Sequence, residues 1–178
     1  MRILHSISGL FLVCAFLAAC SSGRPGEPAP LRGVGLPQQA ASAAVNDTPL
    51  GRAVFQAING YRTAGALSVN GTLQRAAAVH AQDMAMRNYG GHHNPEGQGP
   101  VDRVHAIDEK YSNRIAENIW IGEVRAGLSD AQIAAQVLTK WTNSPRHRTI
   151  LESARNVRAG VGVARRGNVT YVVAVFSD

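Results

Sequence analysis

Val157 to Phe176 reads VRAGVGVARRGNVTYVVAVF, and the architecture turns on these residues. Two strand-like runs, Val157 to Arg165 and Val169 to Phe176, flank Arg166-Gly167-Asn168, a hairpin signal. The second run is apolar at almost every position. An antiparallel strand with one wet face alternates, whereas one that does not alternate is covered on both faces. Val169 to Phe176 therefore reads as a central strand with material packed above and below it.

Upstream, the periodicity changes from two to 3.6. Asp47-Thr48-Pro49 joins a capping side chain to a proline in the first turn, a helix start. Leu50, Val54, Ala57, Ile58 and Tyr61 follow at helical spacing. A second helix begins near Asn70 or Thr72, with Leu73, Ala76, Ala77, His80 and Met84 on one stripe, and Gly90 and Gly91 end it. His92 to Pro100 is a turn-rich loop, HHNPEGQGP, with a short helix around Val101 to Ala106 after it. Arg114 to Ile121 alternates, placing Ile115, Glu117, Ile119 and Ile121 on one face of a strand. Another helix starts at Ser129-Asp130 and runs through Ile133, Ala134, Val137, Leu138 and Trp141. Helices first, then mostly antiparallel strands, predict an α+β fold with helices packed on a small sheet.

The first 46 residues carry a different signal. Arg2 precedes an uncharged run, Gly9 to Ala19, whose 11 residues fall short of the roughly 20 needed to span a bilayer as a helix. A positive start, a short apolar run and small residues are a secretory signal, assigned to 1–19. Its end, Leu17-Ala18-Ala19-Cys20, resembles the lipobox of bacterial lipoproteins, which implies cleavage before Cys20 and lipid on its sulfur. Ser21, being other than Asp, resembles the signal for the outer membrane, with the protein facing the periplasm. Residues 20–46 hold four of the eight prolines and no apolar face, and read as a flexible tether reaching about 28 Å r.m.s.. Residues 47–178 form the folded domain.

Composition narrows the remaining choices. A chain of 178 residues with 45% hydrophobic and 17% charged residues is neither disordered nor fibrous, and has the length of one domain or at most two. Its net charge is +6, with six arginines (146, 148, 155, 158, 165, 166) against one acid, Glu152, between 146 and 166. That stretch reads either as solvated edges or as a surface for an anionic partner such as lipid head groups or wall polymer. An exported chain without a nucleic-acid motif is not expected to bind nucleic acid. Both cysteines, Cys14 and Cys20, lie outside the domain, which excludes a disulfide or a catalytic thiol within it.

Six short motifs then accumulate in order: Ile58-Asn59-Gly60-Tyr61-Arg62 with Gly65-Ala66-Leu67; Ala78-Val79-His80-Ala81-Gln82-Asp83-Met84-Ala85; His92-His93-Asn94-Pro95-Glu96-Gly97 with Asp102-Arg103; Ala116-Glu117-Asn118-Ile119; Trp141 to Arg148; and Gly160 to Ala164. Together they resemble the CAP superfamily (cysteine-rich secretory, antigen 5 and pathogenesis-related proteins, or SCP domain) in its compact bacterial form, over residues 48–178. The resemblance implies a three-layer α-β-α sandwich and a cavity lined by two histidines and usually two acids. It places His92 first, by its spacing to Pro95 and Arg103, with His93 as competitor; Glu117 is the first acid and His147 the second histidine. The second acid falls on Ser144, so the set is incomplete, which favours binding over catalysis.

Glu117 carries weight without any resemblance. A carboxylate on a face with three isoleucines must be paired, hydrogen-bonded or protonated. It reads either as a structural carboxylate or as a group facing a polar cavity. Two histidines and one carboxylate can hold zinc and leave a position for water, so the set allows a divalent metal. His80, on an apolar stripe, reads as a core histidine, and His105 as a surface one. Ser144 and His147, three apart in a turn, do not make a nucleophile and base. Asp102-Arg103 and Arg148 read as residues that fix loops. The expectation is an envelope-anchored lipoprotein whose His/Glu cavity binds a lipid, small molecule or wall component, with or without a metal. The alternatives are a metal-assisted, peptidase-like hydrolase and a structural envelope protein.

Overall fold

The structure is a computed structural model and describes residues 48–178. The signal segment, Cys20, the tether and Asp47 lie outside the described residues. Among the described residues there are five helices and four strands: α1 (Pro49–Tyr61), β1 (Ser68–Val69), α2 (Gly71–Arg87), α3 (Pro100–Ile107), β2 (Ile115–Glu123), α4 (Asp130–Thr142), α5 (Pro145–Glu152), β3 (Arg158–Arg166) and β4 (Val169–Ser177).

Local chemistry sets the helix starts. Thr48 caps α1 by accepting from the Gly51 N–H at 3.0 Å, with Pro49 in the first turn. Asn70 caps α2 in the same way through Leu73. That helix ends where Asn88 turns left-handed, at φ 56°. Ser129 and Gln132 cap α4 reciprocally. The segment after Trp141, read from the sequence as a turn, is instead the start of α5. Pro145 presets the first helical φ, and Arg148 N–H donates to Ser144 O at 2.9 Å.

The strands form one mixed sheet in the order β1-β3-β4-β2, with β1 parallel to β3 and the other pairs antiparallel. At two residues β1 is too short to leave a periodic signal. Central β4 is buried along most of its length, and its side chains divide between two cores. Val172, Ala174 and Phe176 join α1, α4 and α5, including the buried Trp141. Tyr171, Val173 and Val175 join α2 and α3. This is the three-layer sandwich, with a mostly antiparallel sheet inside. Gly160 and Gly162 allow α2 to lie directly on β3: a Cβ at either would sit 2.0 Å from Gln74 N or 2.2 Å from Ala77 C.

Two features of this frame position the site. Strand β2 is an edge of the sheet, so residues near its outer side are reached by the loop after α2 and by α5. Its register on β4 pairs Glu117 with Val175 and Asn118 with Ala174. Glu117 therefore faces α2 and α3, and Asn118 faces the opposite layer. The arginine-rich stretch is divided: Arg146, Arg148 and Arg155 are exposed on α5 and the turn after it, while Arg165 and Arg166 end β3. The length of β3 separates those ends by roughly 25 Å.

Candidate functional site

Helix α3 begins where the Gly99 N–H donates to Asp102 Oδ2 at 2.8 Å. One turn on, Arg103 points into the protein with its side chain only 2% exposed. Its guanidinium donates to Gln98 O at 3.0 Å, to His92 O at 3.1 Å and to Glu117 Oε2 at 2.8 Å. The Glu117 side chain is 1% exposed, so this is a buried ion pair. The other carboxylate oxygen, Oε1, accepts from His92 Nδ1 at 2.9 Å. An ionised carboxylate only accepts, so Nδ1 of His92 carries a proton and Nε2 is the atom left for other partners. The His92 ring is half-exposed. A buried carboxylate that fixes one nitrogen of an imidazole and orients the other is an arrangement used by both metal-binding and catalytic histidines.

The loop between α2 and α3 is built to hold this geometry. Asn94 closes a tight turn on Gln98 through backbone and side chain, with Gly97 at φ 84°. On the solvent side Arg87 bridges Asp83 and Glu96, tying the loop to α2. From beneath, His80 Nε2 lies 2.8 Å from Gly91 O. His93 is exposed and lies against Gly99, where an added Cβ would sit 3.2 Å from its Nε2. Of the neighbouring histidines, His92 is the one directed at Glu117.

His147 approaches from the other side of β2. Its carbonyl accepts from Asn118 Nδ2 at 3.1 Å, which seats α5 on the strand. Burial, and then repulsion from His92, hold its imidazole below the ordinary histidine value. The two histidines are thus within electrostatic reach, although no hydrogen bond joins His147 to His92 or Glu117. Ser144 caps the backbone of α5 by position, and its hydroxyl makes no capping bond.

The structure brings His92 and Glu117 into contact and seats α5, which carries His147, on the neighbouring residue of β2, while His93 lies against Gly99. Among the described residues, no group of three or more His, Cys, Asp or Glu side chains is placed to hold a metal ion. His80 is a core residue, and exposed His105 bonds Tyr111 O at 2.9 Å.

Arg103, Asn118 and His80 are members of the site that the motifs alone did not assign. Among the described residues, the buried side-chain atoms without a partner are His80 Nδ1, Arg103 Nε, Asn118 Oδ1 and His147 Nδ1. All four belong to residues bonded to the site's members or to the loop that carries them, and incomplete satisfaction of this kind gathers at functional sites. The sequence held half of the signal for Arg103: Glu117 on an apolar face had to be paired, hydrogen-bonded or protonated, and Arg103 read as a residue that fixes a loop. A groove of about 570 Å³ is lined by Gly51, Phe55, Val69 and Val161 among others, near β1 and away from these residues.

Residues 55–176 match the profile of the cysteine-rich secretory protein family, CAP. A curated relative, the uncharacterized protein YkwD of Bacillus subtilis, is 27% identical over 103 residues, which is 58% of this chain and 37% of that protein. The chain thus spans little more than a third of that relative. Among solved structures, an outer surface protein of Borrelia burgdorferi aligns with a TM-score of 0.58 at 20% identity, covering 71% of this chain and 90% of that one. An extracellular SCP-domain protein of Bacillus anthracis aligns with a TM-score of 0.57 at 24% identity, covering 72% and 40%. At these identities the structural likeness bears on the fold. Among the described residues, no helix is long and apolar enough to cross a membrane.

Proposed function

Because the chain belongs to the cysteine-rich secretory protein (CAP) family, we propose that it acts outside the cytoplasm as a ligand-binding domain, with His92 and His147 as the groups its ligand meets. The observation that carries this reading is the bond from His92 to Glu117. A half-exposed imidazole held by a buried, charge-balanced carboxylate is ordered before any ligand arrives, and pre-ordering lowers the cost of binding. Arg103 balances Glu117, and the exposed Arg146 and Arg148 flank His147 on α5. The charge near the site favours an anionic group, such as a lipid head group or a wall polymer, over a cationic one. On this reading Cys20 is lipidated and anchors the protein to the bacterial membrane, the outer membrane facing the periplasm, with 20–46 as the tether.

A second reading, hydrolysis, draws on the same bond. Nε2 of His92 is oriented as a general base would be. No hydroxyl or thiol is hydrogen-bonded to it among the described residues, so binding accounts for the arrangement better. For a divalent ion only part of a donor set is in place, since among the described residues no three His, Cys, Asp or Glu side chains are grouped to hold one.

The test is a titration of the protein with anionic and with zwitterionic vesicles, followed through the imidazole resonances. Shifts of His92 and His147 with anionic vesicles only, shrinking as salt rises, are expected. Equal responses to both vesicle types, or shifts that spare both rings, would overturn the reading.

A further inference from the structure

His80 is fully buried on α2, yet it makes a single hydrogen bond, from Nε2 to Gly91 O. A carbonyl only accepts, so Nε2 bears the proton. Nδ1 is enclosed without a partner. A leucine or methionine would fill this place on the stripe without stranding a polar atom, and stranding one is costly. What the imidazole adds over an apolar side chain is its hold on Gly91.

That hold falls at a decisive point. Gly91 has φ 145°, in the region that favours glycine, and it immediately precedes His92. Three contacts converge on these two consecutive residues: His80 on the carbonyl of Gly91, Arg103 on the carbonyl of His92, and Glu117 on the His92 ring. Arg103 and Glu117 are themselves paired, so they can shift together. His80, on a long packed helix, ties the loop to a separate rigid element.

We propose that His80 is a positioning residue of the site, holding the Gly91 carbonyl so that the His92 imidazole stays on Glu117 with Nε2 presented outward. The proposal rests on the reading of His92 as a working imidazole. In molecular terms, loss of the His80 bond frees the peptide between Gly91 and His92 to rotate, and the His92 ring leaves the carboxylate while the fold persists.

Nuclear magnetic resonance on the full chain with labelled histidine tests this directly. The His92 Nδ1 proton, bonded to a carboxylate, gives a downfield signal that His92→Ala assigns by its disappearance. The His80→Leu variant is expected to melt cooperatively and to lose this signal, or to exchange it with water at least tenfold faster. The His80→Gln variant, whose amide can still donate to Gly91, is expected to keep it. Retention of the signal at the wild-type exchange rate in His80→Leu would overturn the positioning role and leave the reading of His92 intact. Absence of the signal in the wild type would overturn that reading, and the proposal with it. Should His80→Leu not fold, the wild type still decides: a scalar coupling across the bond from His80 Nε2–H to the Gly91 carbonyl carbon is expected, and its absence overturns the proposal.

Discussion

Arg103 and Glu117 meet at 2.8 Å with both side chains almost completely withdrawn from solvent. Removing either partner leaves the other as an uncompensated buried charge. The Arg103→Met substitution should therefore destabilise the fold by about 3–5 kcal/mol, and Arg103→Met with Glu117→Leu by clearly less. Urea unfolding of Arg103→Met, Glu117→Leu and the double variant measures this. A single Arg103→Met cost below that of the double variant would show that the pair is not buried as described.

Acid should weaken the protein through His80 and His147. Both are held below the ordinary value of 6.5, chiefly by burial, with Arg103 adding to the effect at His80 and His92 at His147. A histidine with a lowered folded-state pKa binds its proton more readily when unfolded. Its favourable contribution is complete above the unfolded value and is lost as pH falls below 6.5 through the folded value. Unfolding free energies at a series of pH values from 7.5 to 5 should decline. Replacing His147 with Gln should flatten the decline, and an unchanged slope would contradict the assignment.

The contact of α2 with β3 predicts severe intolerance at two glycines. In Gly162→Ala the new methyl group would collide with the backbone of Ala77 and Ala78, which no side-chain rotation relieves. A loss of about 1–3 kcal/mol or more is expected, in line with overpacked cores. Gly60→Ala, in helix α1 where nothing lies near the added atom, is the control and should raise stability by about 0.4–1 kcal/mol. Thermal melts of the two variants side by side check this.

Zinc should leave the melting temperature where it is. A ligand at 100 times its dissociation constant would add about 2.7 kcal/mol to a protein with a ready site. Among the described residues no three His, Cys, Asp or Glu side chains stand together as such a site. A zinc-dependent rise that vanishes in His147→Ala would reverse this conclusion and place a metal at His147.

Much of the fold was legible because its signals are local. The unbroken apolar run of β4 implied cover on both faces, and two cores now flank it. Alternation in β2 put Glu117 with the isoleucines and so required it to be paired, hydrogen-bonded or protonated; it is paired with Arg103. What escaped was non-local or brief. Strand β1 is two residues long, and it exists only because β3 offers an edge. Helix α5 looked like a turn because its eight residues hold one buried apolar anchor, Leu151. His80 could be read as a core residue but not as a loop anchor, because its bond depends on a carbonyl eleven residues away. The arginines, contiguous in sequence, are parted by the length of a strand.

The central strand is also the element of the fold that comes last in the sequence. Both cores need β4, and β2 has no partner other than β4. A chain emerging N-terminus first, from a ribosome or across a membrane, thus cannot close either layer until residue 177 is free. Until then its helices have only the short β1–β3 pairing to rest on, and isolated helices of this length are marginal in water. Docking of β2, and with it the His92–Glu117 contact, therefore depends on the strand that is made last of the four.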